Sequence, residues 1–505
     1  MLDGHGYHPA SRVLAWIDAR RWWLCAAALV FHAASFSGVW RVGPDSAIYL
    51  DAARGVVEGR GLVANEGPYT HGFAGFPILL AWVERAFGSM IAPGVAVTHA
   101  AGLLSVVMVF LLMQRHAGRA VAVLVTFLFA VNANLVRHCG ELLADVPFLL
   151  GSSAALLGYE LTFARPGERD AVRRGVLAAA LLLGGVALMA SMRIVVAVVL
   201  AALAVDLLWR CRRGRAKWAA LATCAAVAGI ALVVRLNDPR MSDGWELLPK
   251  ERYLLESVTN MGLRLDRVAG FTFGELALRV TPGAMLGNRV GVWPVDLVIT
   301  VFVFAAGVAL VRRRVAWGVV VALCLVQWLL FYPDARYFLP VLPLLILGWW
   351  DAAGVMAARL SLRGGRRLMV ATAAVLAGPN MLRDVGHAIE QHRTPFLASY
   401  QGGRYEGVPE LAERIASQTP PELVIVADEK HAGPLHYWSR RRTLSLIEGR
   451  DLEPVPQGRP LAVLLPASEA LVEALAASGL EIGEATLSQS RSGREPLEIA
   501  TLRRR

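Results

Sequence analysis

RRWWLCAAALVFHAASFSGVWRVGPDSAIYLDAARGVVEGRGL, from Arg20 to Leu62, joins an arginine pair, an apolar run from Trp22 to Trp40 and a short charged segment. The run is long enough to cross a bilayer, and no convincing small-residue cleavage site accompanies it. It reads as an uncleaved first membrane helix with Arg20 and Arg21 on the cytoplasmic side. The segment after it reads as a short amphipathic helix. Asp45 caps it, Ile48, Tyr49, Ala52 and Val56 form one face, and Gly59 ends it. Arg54 and Glu58, four residues apart, suit an ion pair along that helix.

Composition places the rest of the chain in the same setting. Of 505 residues, 56% are hydrophobic and only 18% charged, a balance that excludes a soluble multidomain protein and points to a polytopic membrane protein. The net charge of +11 comes mostly from arginines in short clusters between apolar segments. That is the pattern of cytoplasmic loops, and nucleic acid is not an expected partner. The five cysteines form neither a disulfide framework nor a CxxC metal site.

Further apolar segments lie near 94–113, 119–136, 142–163, 175–191, 193–209, 218–236, 292–311, 315–332, 338–358 and 368–382, which with the first gives about eleven transmembrane helices. The basic clusters Arg115/Arg119, Arg165 to Arg174, Arg210 to Lys217, Arg312 to Arg314 and Arg359 to Arg367 fall on alternate loops, on the side of Arg20. The run from Gly175 to Trp209 would be roughly 52 Å long as one helix, against a hydrocarbon core of roughly 30 Å, so it must turn back. Arg193 is the natural turning point, because at mid-membrane it would cost about 3 kcal/mol. Gly72 to Phe87 is expected to lie in the outer interface, since counting it as a span would break the charge alternation.

From about Gly407 the pattern changes to short alternating motifs: a helix in PELAERIAS, strands in ELVIVAD and LAVLLP, a helix in SEALVEALAAS and a strand near LEIATL. The expected organisation is a transmembrane domain over 1–382, a linker over 383–407 and a small α/β domain over 408–505. VADEKHAGP has no phosphate-binding glycine fingerprint, so nucleotide binding is not supported. By charge alternation the N-terminus is cytoplasmic and the C-terminal domain lies outside.

The outer face collects the ionisable residues of interest. Asp45 stands just beyond the first span, where a fixed carboxylate can serve as general base, with Tyr49 one turn further along. His138, Glu141 and Asp145 are spaced to stack along one side of a helix; a metal fits that spacing, but a solvated helix end is its commoner origin. Asp145 lies at the hydrocarbon boundary and calls for a partner. Arg336 and Tyr337, in DARYFLP, suit either phosphate binding or interface anchoring.

In order along the chain, DSAIYLDAARGVVEGRGL, GFPILLAWVERAFG, ELLADVPFLL, an arginine between two short spans and RYFLPVLP resemble the polyprenyl-phosphate-sugar glycosyltransferases of the GT-C fold. The likeness is to the bacterial branch with lipid A aminoarabinose and galacturonic acid transferases and to protein O-mannosyltransferases, and it covers about residues 20 to 360. The family's acidic pair is here Asp45-Ser46, and HGFAGFP replaces the Lys-Pro-Pro of some members.

The resemblance implies inverting transfer of a sugar from a lipid phosphate to a lipid, glycan or protein acceptor at the outer face of a bacterial cytoplasmic membrane. It implies Asp45 as base, Arg193 and Arg336 at the donor phosphate with Tyr337 orienting it, and Tyr49, Glu141 and Asp145 in substrate binding, Asp145 holding a sugar hydroxyl or an arginine. No cofactor is named by these residues, and a divalent cation is left open. The competing classes are a lipid or solute transporter and a noncatalytic scaffold. Against transport, no acid falls at the middle of a span and no inverted repeat is visible.

Overall fold

In a computed structural model of the chain, the described residues are 9–69, 73–162, 171–193, 196–210, 225, 229, 281–286, 293–313, 317, 321, 335–393, 404–447, 451–452, 455–491 and 494–504. The expected spans at 218–236 and 315–332, most of the loop from Asn237 to Arg289, and part of the linker fall outside them. The chain forms two compact units. One comprises Met1–Phe36, Ala96–Gly140 and Ala144–Ala388; the other comprises Ser37–Val95, Glu141–Leu143 and Ile389–Arg505.

Helices dominate the first unit. In chain order the helices of the molecule up to its linker are α1 (Pro9–Ala19), α2 (Arg21–Ser35), α3 (Pro44–Val57), α4 (Gly75–Phe87), α5 (Ala92–Ala117), α6 (Arg119–Ala130), α7 (Ala133–Cys139) and α8 (Asp145–Thr162). They continue with α9 (Ala171–Met192), α10 (Val196–Arg210), α11 (Thr281–Leu286), α12 (Trp293–Arg313), α13 (Leu342–Ala357) and α14 (Leu362–Arg393). Of these, α3 and α4 belong to the second unit.

About eleven spans were expected; among the described residues two helices are long and apolar enough to cross a membrane, Ala92–Ala117 and Gly175–Met192, with mean hydropathies of 2.3 and 2.1. A third candidate is the pair α6 and α7, bent by 57°. The first helix corrects the reading of Trp22 to Trp40: it stops at Ser35, whose hydroxyl donates back to the His32 carbonyl at 2.9 Å. Fifteen residues reach only about 22 Å, short of the hydrocarbon core. The 32-residue α14 in turn runs through the expected start of the linker to Arg393.

The α6/α7 bend shows how backbone groups freed by a break are satisfied. Asn132 caps α7 by accepting from the Asn134 N–H at 3.1 Å. The side-chain amides of Asn132 and Asn134 donate to the Ala284 and Gly283 carbonyls at 3.1 and 2.7 Å. Asn380 accepts from the Ala133 N–H and donates to the Met285 carbonyl, both at 2.9 Å. Elsewhere small residues bring backbones together. Gly151 and Gly158 on α8 meet Gly185, Met189 and Leu182 on α9 so closely that a Cβ at any of these glycines would press on backbone.

The second unit contains the C-terminal sheet. After α15 (Val408–Gln418), its strands and helices are β3 (Val424–Val426), α16 (Glu429–Ser439), β4 (Arg442–Leu444), β5 (Leu446–Ile447), β6 (Asp451–Leu452), β7 (Leu461–Leu465), α17 (Glu469–Ala477), β8 (Leu480–Arg491) and β9 (Arg494–Arg504). The hairpin β1 (Val63–Ala64) and β2 (Gly67–Pro68) follows α3. Five strands are ordered β4-β3-β7-β9-β8, with β3 parallel to β4 and β7, and β9 antiparallel to β7 and β8. Val424, Val426, Leu444, Val463, Leu471 and Ala500 form its core. The sequence pattern anticipates α15, β3, β7, α17 and β9; β4 and β8 are additions. The membership of the unit is also wider than a C-terminal domain, because it takes in residues 37 to 95.

Candidate active site

In the second unit, Asp45 is half-buried in the first turn of α3. It is not the cap expected from sequence. Gly43 is the extended residue before the helix, and Pro44 opens the helix with the φ it already prefers. The Ser46 hydroxyl accepts from the Gly43 N–H at 3.0 Å and donates to the Gly43 carbonyl at 2.9 Å, while Trp40 Nε1 donates to that hydroxyl at 2.9 Å. Asp45 is thereby relieved of capping and sits at the positive end of the helix dipole.

Three groups of the C-terminal segment hold α3. Gly433 on α16 faces the Pro44 carbonyl, which a Cβ there would meet at 3.3 Å. His436 Nε2 lies 2.9 Å from Asp51 Oδ2, and His436 Nδ1 lies 2.6 Å from the Arg441 carbonyl. Arg54 Nη1 donates to the Tyr437 carbonyl at 3.0 Å, with its guanidinium 4.2 Å above the Tyr437 ring. This corrects the expected Arg54–Glu58 pair. Arg54 is drawn to the tyrosine, and Glu58 pairs with Arg60 at 2.6 Å. Asn65, at φ 52, completes the joint by accepting from the Thr443 N–H at 2.8 Å and donating to its carbonyl at 2.5 Å.

Electrostatics at this joint follow burial. Burial alone pushes the Asp51 carboxyl up, but the His436 hydrogen bond and charge, the Asn65 N–H and the Arg54 charge together hold it below the ordinary carboxylate range. The wholly buried Tyr405 phenol is pushed up to about 12, chiefly by burial and further by the negative charge of Asp45, with Arg404 opposing. Tyr49 is buried between the Phe76 and Tyr69 rings, with centroids at 5.3 and 6.4 Å, and braces α3 against α4.

In the first unit, four sequence candidates are brought together. Asp145, the buried first residue of α8, accepts from Arg193 Nη2 at 2.5 Å. Arg193 follows the end of α9, and α10 begins at Val196, so the expected break falls where the arginine stands. The Arg193 guanidinium lies 5.1 Å from the centroid of the Tyr337 ring. Arg336 lies 5.1 Å from the same centroid and donates to the Tyr337 hydroxyl at 3.2 Å. Arg336 and Tyr337 occupy a 3-10 turn, Ala335–Phe338, ahead of α13. Two guanidinium groups on one aromatic ring, one of them fixed by a carboxylate, make an arrangement suited to an anionic oxygen cluster.

His138, Glu141 and Asp145 do not share a helix as their spacing suggested. His138 is in the last turn of α7, Gly140 ends that helix, Glu141 is buried in the turn, and Asp145 starts α8. Among the described residues no three His, Cys, Asp or Glu side chains gather in a way that could hold a metal ion. Sequence reasoning passed over His436, Tyr437, Arg404 and Tyr405. The signal was the run HYW, 436–438, whose aromatic residues in a charged segment mark a contact surface; Trp40 meets the rings of Tyr437 and Trp438, each at 5.0 Å.

Comparison with solved structures gives the fold. The chain is similar to ArnT from Cupriavidus metallidurans in a crystal structure bound to undecaprenyl phosphate, with a TM-score of 0.56 and 15% identity over 96% of this chain and 98% of that one. The apo structure of that protein gives 0.58 at 15% identity over 97% and 98%. The Archaeoglobus fulgidus oligosaccharyltransferase, in complex with Zn and sulfate, gives 0.53 at 13% identity over 83% of this chain and 62% of that one. No family model and no curated protein sequence matches the chain. The chain has the fold of the GT-C glycosyltransferases.

Proposed function

We propose that this protein is an integral-membrane glycosyltransferase that moves a sugar from a polyprenyl-phosphate donor to a lipid, glycan or protein acceptor at the outer face of a cytoplasmic membrane, with inversion. The observation that carries the reading is the likeness over nearly the whole chain to ArnT, a protein seen with undecaprenyl phosphate bound. Asp45 takes the proton of the acceptor hydroxyl as the anomeric carbon develops positive charge. Arg336 and Arg193, the latter oriented by Asp145, take the phosphate oxygens as negative charge builds on the departing lipid phosphate. Glu141 is assigned to substrate binding, whereas Tyr49, expected there too, is buried against Tyr69 and Phe76 and supports the helix that carries the base. The N-terminus is cytoplasmic and the C-terminal segment extracytoplasmic.

The test is sugar transfer by purified wild-type and Asp45→Asn protein, with the thermal unfolding midpoint recorded for both. Because the cap belongs to Gly43 and Ser46, the variant keeps its midpoint. Loss of general-base catalysis lowers the rate on the order of a hundredfold to ten-thousandfold. Full transfer by a folded Asp45→Asn protein overturns the assignment, and absence of transfer by the wild type with several lipid-linked sugars favours a transporter.

A further inference from the structure

We infer that an apolar cleft in the first unit binds one hydrocarbon chain of an anionic phospholipid, with the lipid's phosphate at Arg21 and Arg119. The cleft lies between α2, α5 and α6 and has a volume of about 470 Å³, within the range of small-ligand sites. Its walls include Leu24, Cys25, Leu29, Val107, Phe110 and Phe127. A polar ligand gains little from such walls, whereas a methylene chain gains by burying apolar surface against them.

One end of the cleft is charged. Arg21 and Arg119 line it, and Asp18 locates both at the same place. Asp18 accepts from Arg119 through two bonds, of 2.8 and 2.7 Å, and its second neighbour Arg21 lies 3.8 Å from the same carboxylate. Arg20 stands beside them with its guanidinium 4.6 Å from the Trp16 ring. Among the described residues Asp18 is the carboxylate paired with Arg21 and Arg119, and with Arg20 beside them the three guanidinium groups leave this end positive.

The other end is marked by His32 and Ala130, joined by a bond of 3.0 Å from the ring to the carbonyl. Arg21 to His32 and Arg119 to Ala130 are each eleven residues of helix, so the cleft runs about 16 Å from its charged mouth. Trp22 and Trp23, 73% and 79% exposed, flank the mouth as aromatic residues do at a membrane surface. Basic pockets between membrane helices on the cytoplasmic side recognise anionic head groups, and the charge pattern of the sequence puts Arg20 and Arg21 on that side.

The inference needs the chain to sit in a membrane but does not depend on transfer chemistry, so binding is measured and transfer is not. Purified, partly delipidated protein is titrated with phosphatidylglycerol, phosphatidylcholine or undecaprenyl phosphate and examined by native mass spectrometry. One phosphatidylglycerol is retained per chain where phosphatidylcholine is lost. Affinity falls about fivefold for each arginine removed in Arg21→Gln and Arg119→Gln. Asp18→Asn keeps both arginines and strengthens binding, which separates loss of charge from loss of fold. Cys25→Trp fills the exposed wall of the cleft and abolishes retention with the arginines in place. Equal retention of the two phospholipids, a preference that survives the double arginine substitution, or selective retention of undecaprenyl phosphate overturns the inference.

Discussion

His436→Ala tests the joint between α3 and α16 most directly. Asp51 is 6% exposed, and its strongest favourable partner is His436, at 2.9 Å. Removing one member of a buried ion pair costs about 3–5 kcal/mol because the other is left without compensation. The Asn65 N–H, at 2.8 Å, and the Arg54 charge remain, so the loss belongs at the low end, about 3 kcal/mol, or two orders of magnitude in the folding equilibrium. The measurement is the urea midpoint of the second unit by pulse proteolysis, following a C-terminally tagged fragment.

Acid adds a second signature. In the wild type the Asp51 carboxyl is lowered, so its contribution is complete above the unfolded value near 4 and is lost as the pH falls through the lowered folded value. In the variant burial dominates and raises that carboxyl. The penalty then shrinks as protonation neutralises it, and the gap between the two proteins narrows from pH 7 towards pH 4. A cycle with Asp51→Asn should return a coupling well above 0.5 kcal/mol. A loss below about 0.5 kcal/mol, a gap that does not change with pH, or additive single effects would refute the reasoning.

Three further outcomes are expected. Gly158→Ala places a Cβ against the Leu182 backbone nitrogen and 2.7 Å from the Ala178 carbonyl, and should cost about 1–3 kcal/mol in detergent unfolding, whereas Gly184→Ala, with nothing within 4 Å, should be neutral or stabilising. Arg336→Lys keeps its charge but loses the planar fork, and should weaken donor use, read as a raised KM for the lipid-linked sugar; an unchanged KM makes the residue an anchor. Spectrophotometric titration should find one tyrosine, absent in Tyr405→Phe, that ionises only near pH 12 in the folded protein, since burial opposes the phenolate.

The parts of the molecule legible in sequence are those where one physical demand dominates. A buried carboxylate needs a cation, and Asp145 has Arg193, which stands at the break between α9 and α10 where an overlong helix was expected to turn. Short continuous apolar runs gave away β3 and β7 because both strands are buried on two faces. Asp45 is a good capping residue by type, but Pro44 starts the helix before it, so Gly43 takes the cap position and Ser46, held by the Trp40 indole, bonds back to it. Arg54 was assigned to Glu58 because helix spacing sees only local neighbours, while its partner Tyr437 lies 383 residues away. No periodicity in either segment encodes such a match, and the same distance hid the Asp51–His436 pair and the membership of residues 37 to 95 in the C-terminal unit.

That separation has a consequence for how the protein is made. Ribosomes add roughly 5–20 residues per second, so the Asp51 carboxylate and the Trp40 indole wait about 20 to 80 s for the helix that covers them. During that interval the segment carrying Asp45 has emerged without its clamp, open to proteases and to quality-control chaperones. A nonsense codon before Pro434 would thus damage the chain near its beginning rather than its end. The packing of α16 on the helix that carries Asp45 cannot form until the chain has been synthesised to about Thr443, so a product truncated before that point lacks it.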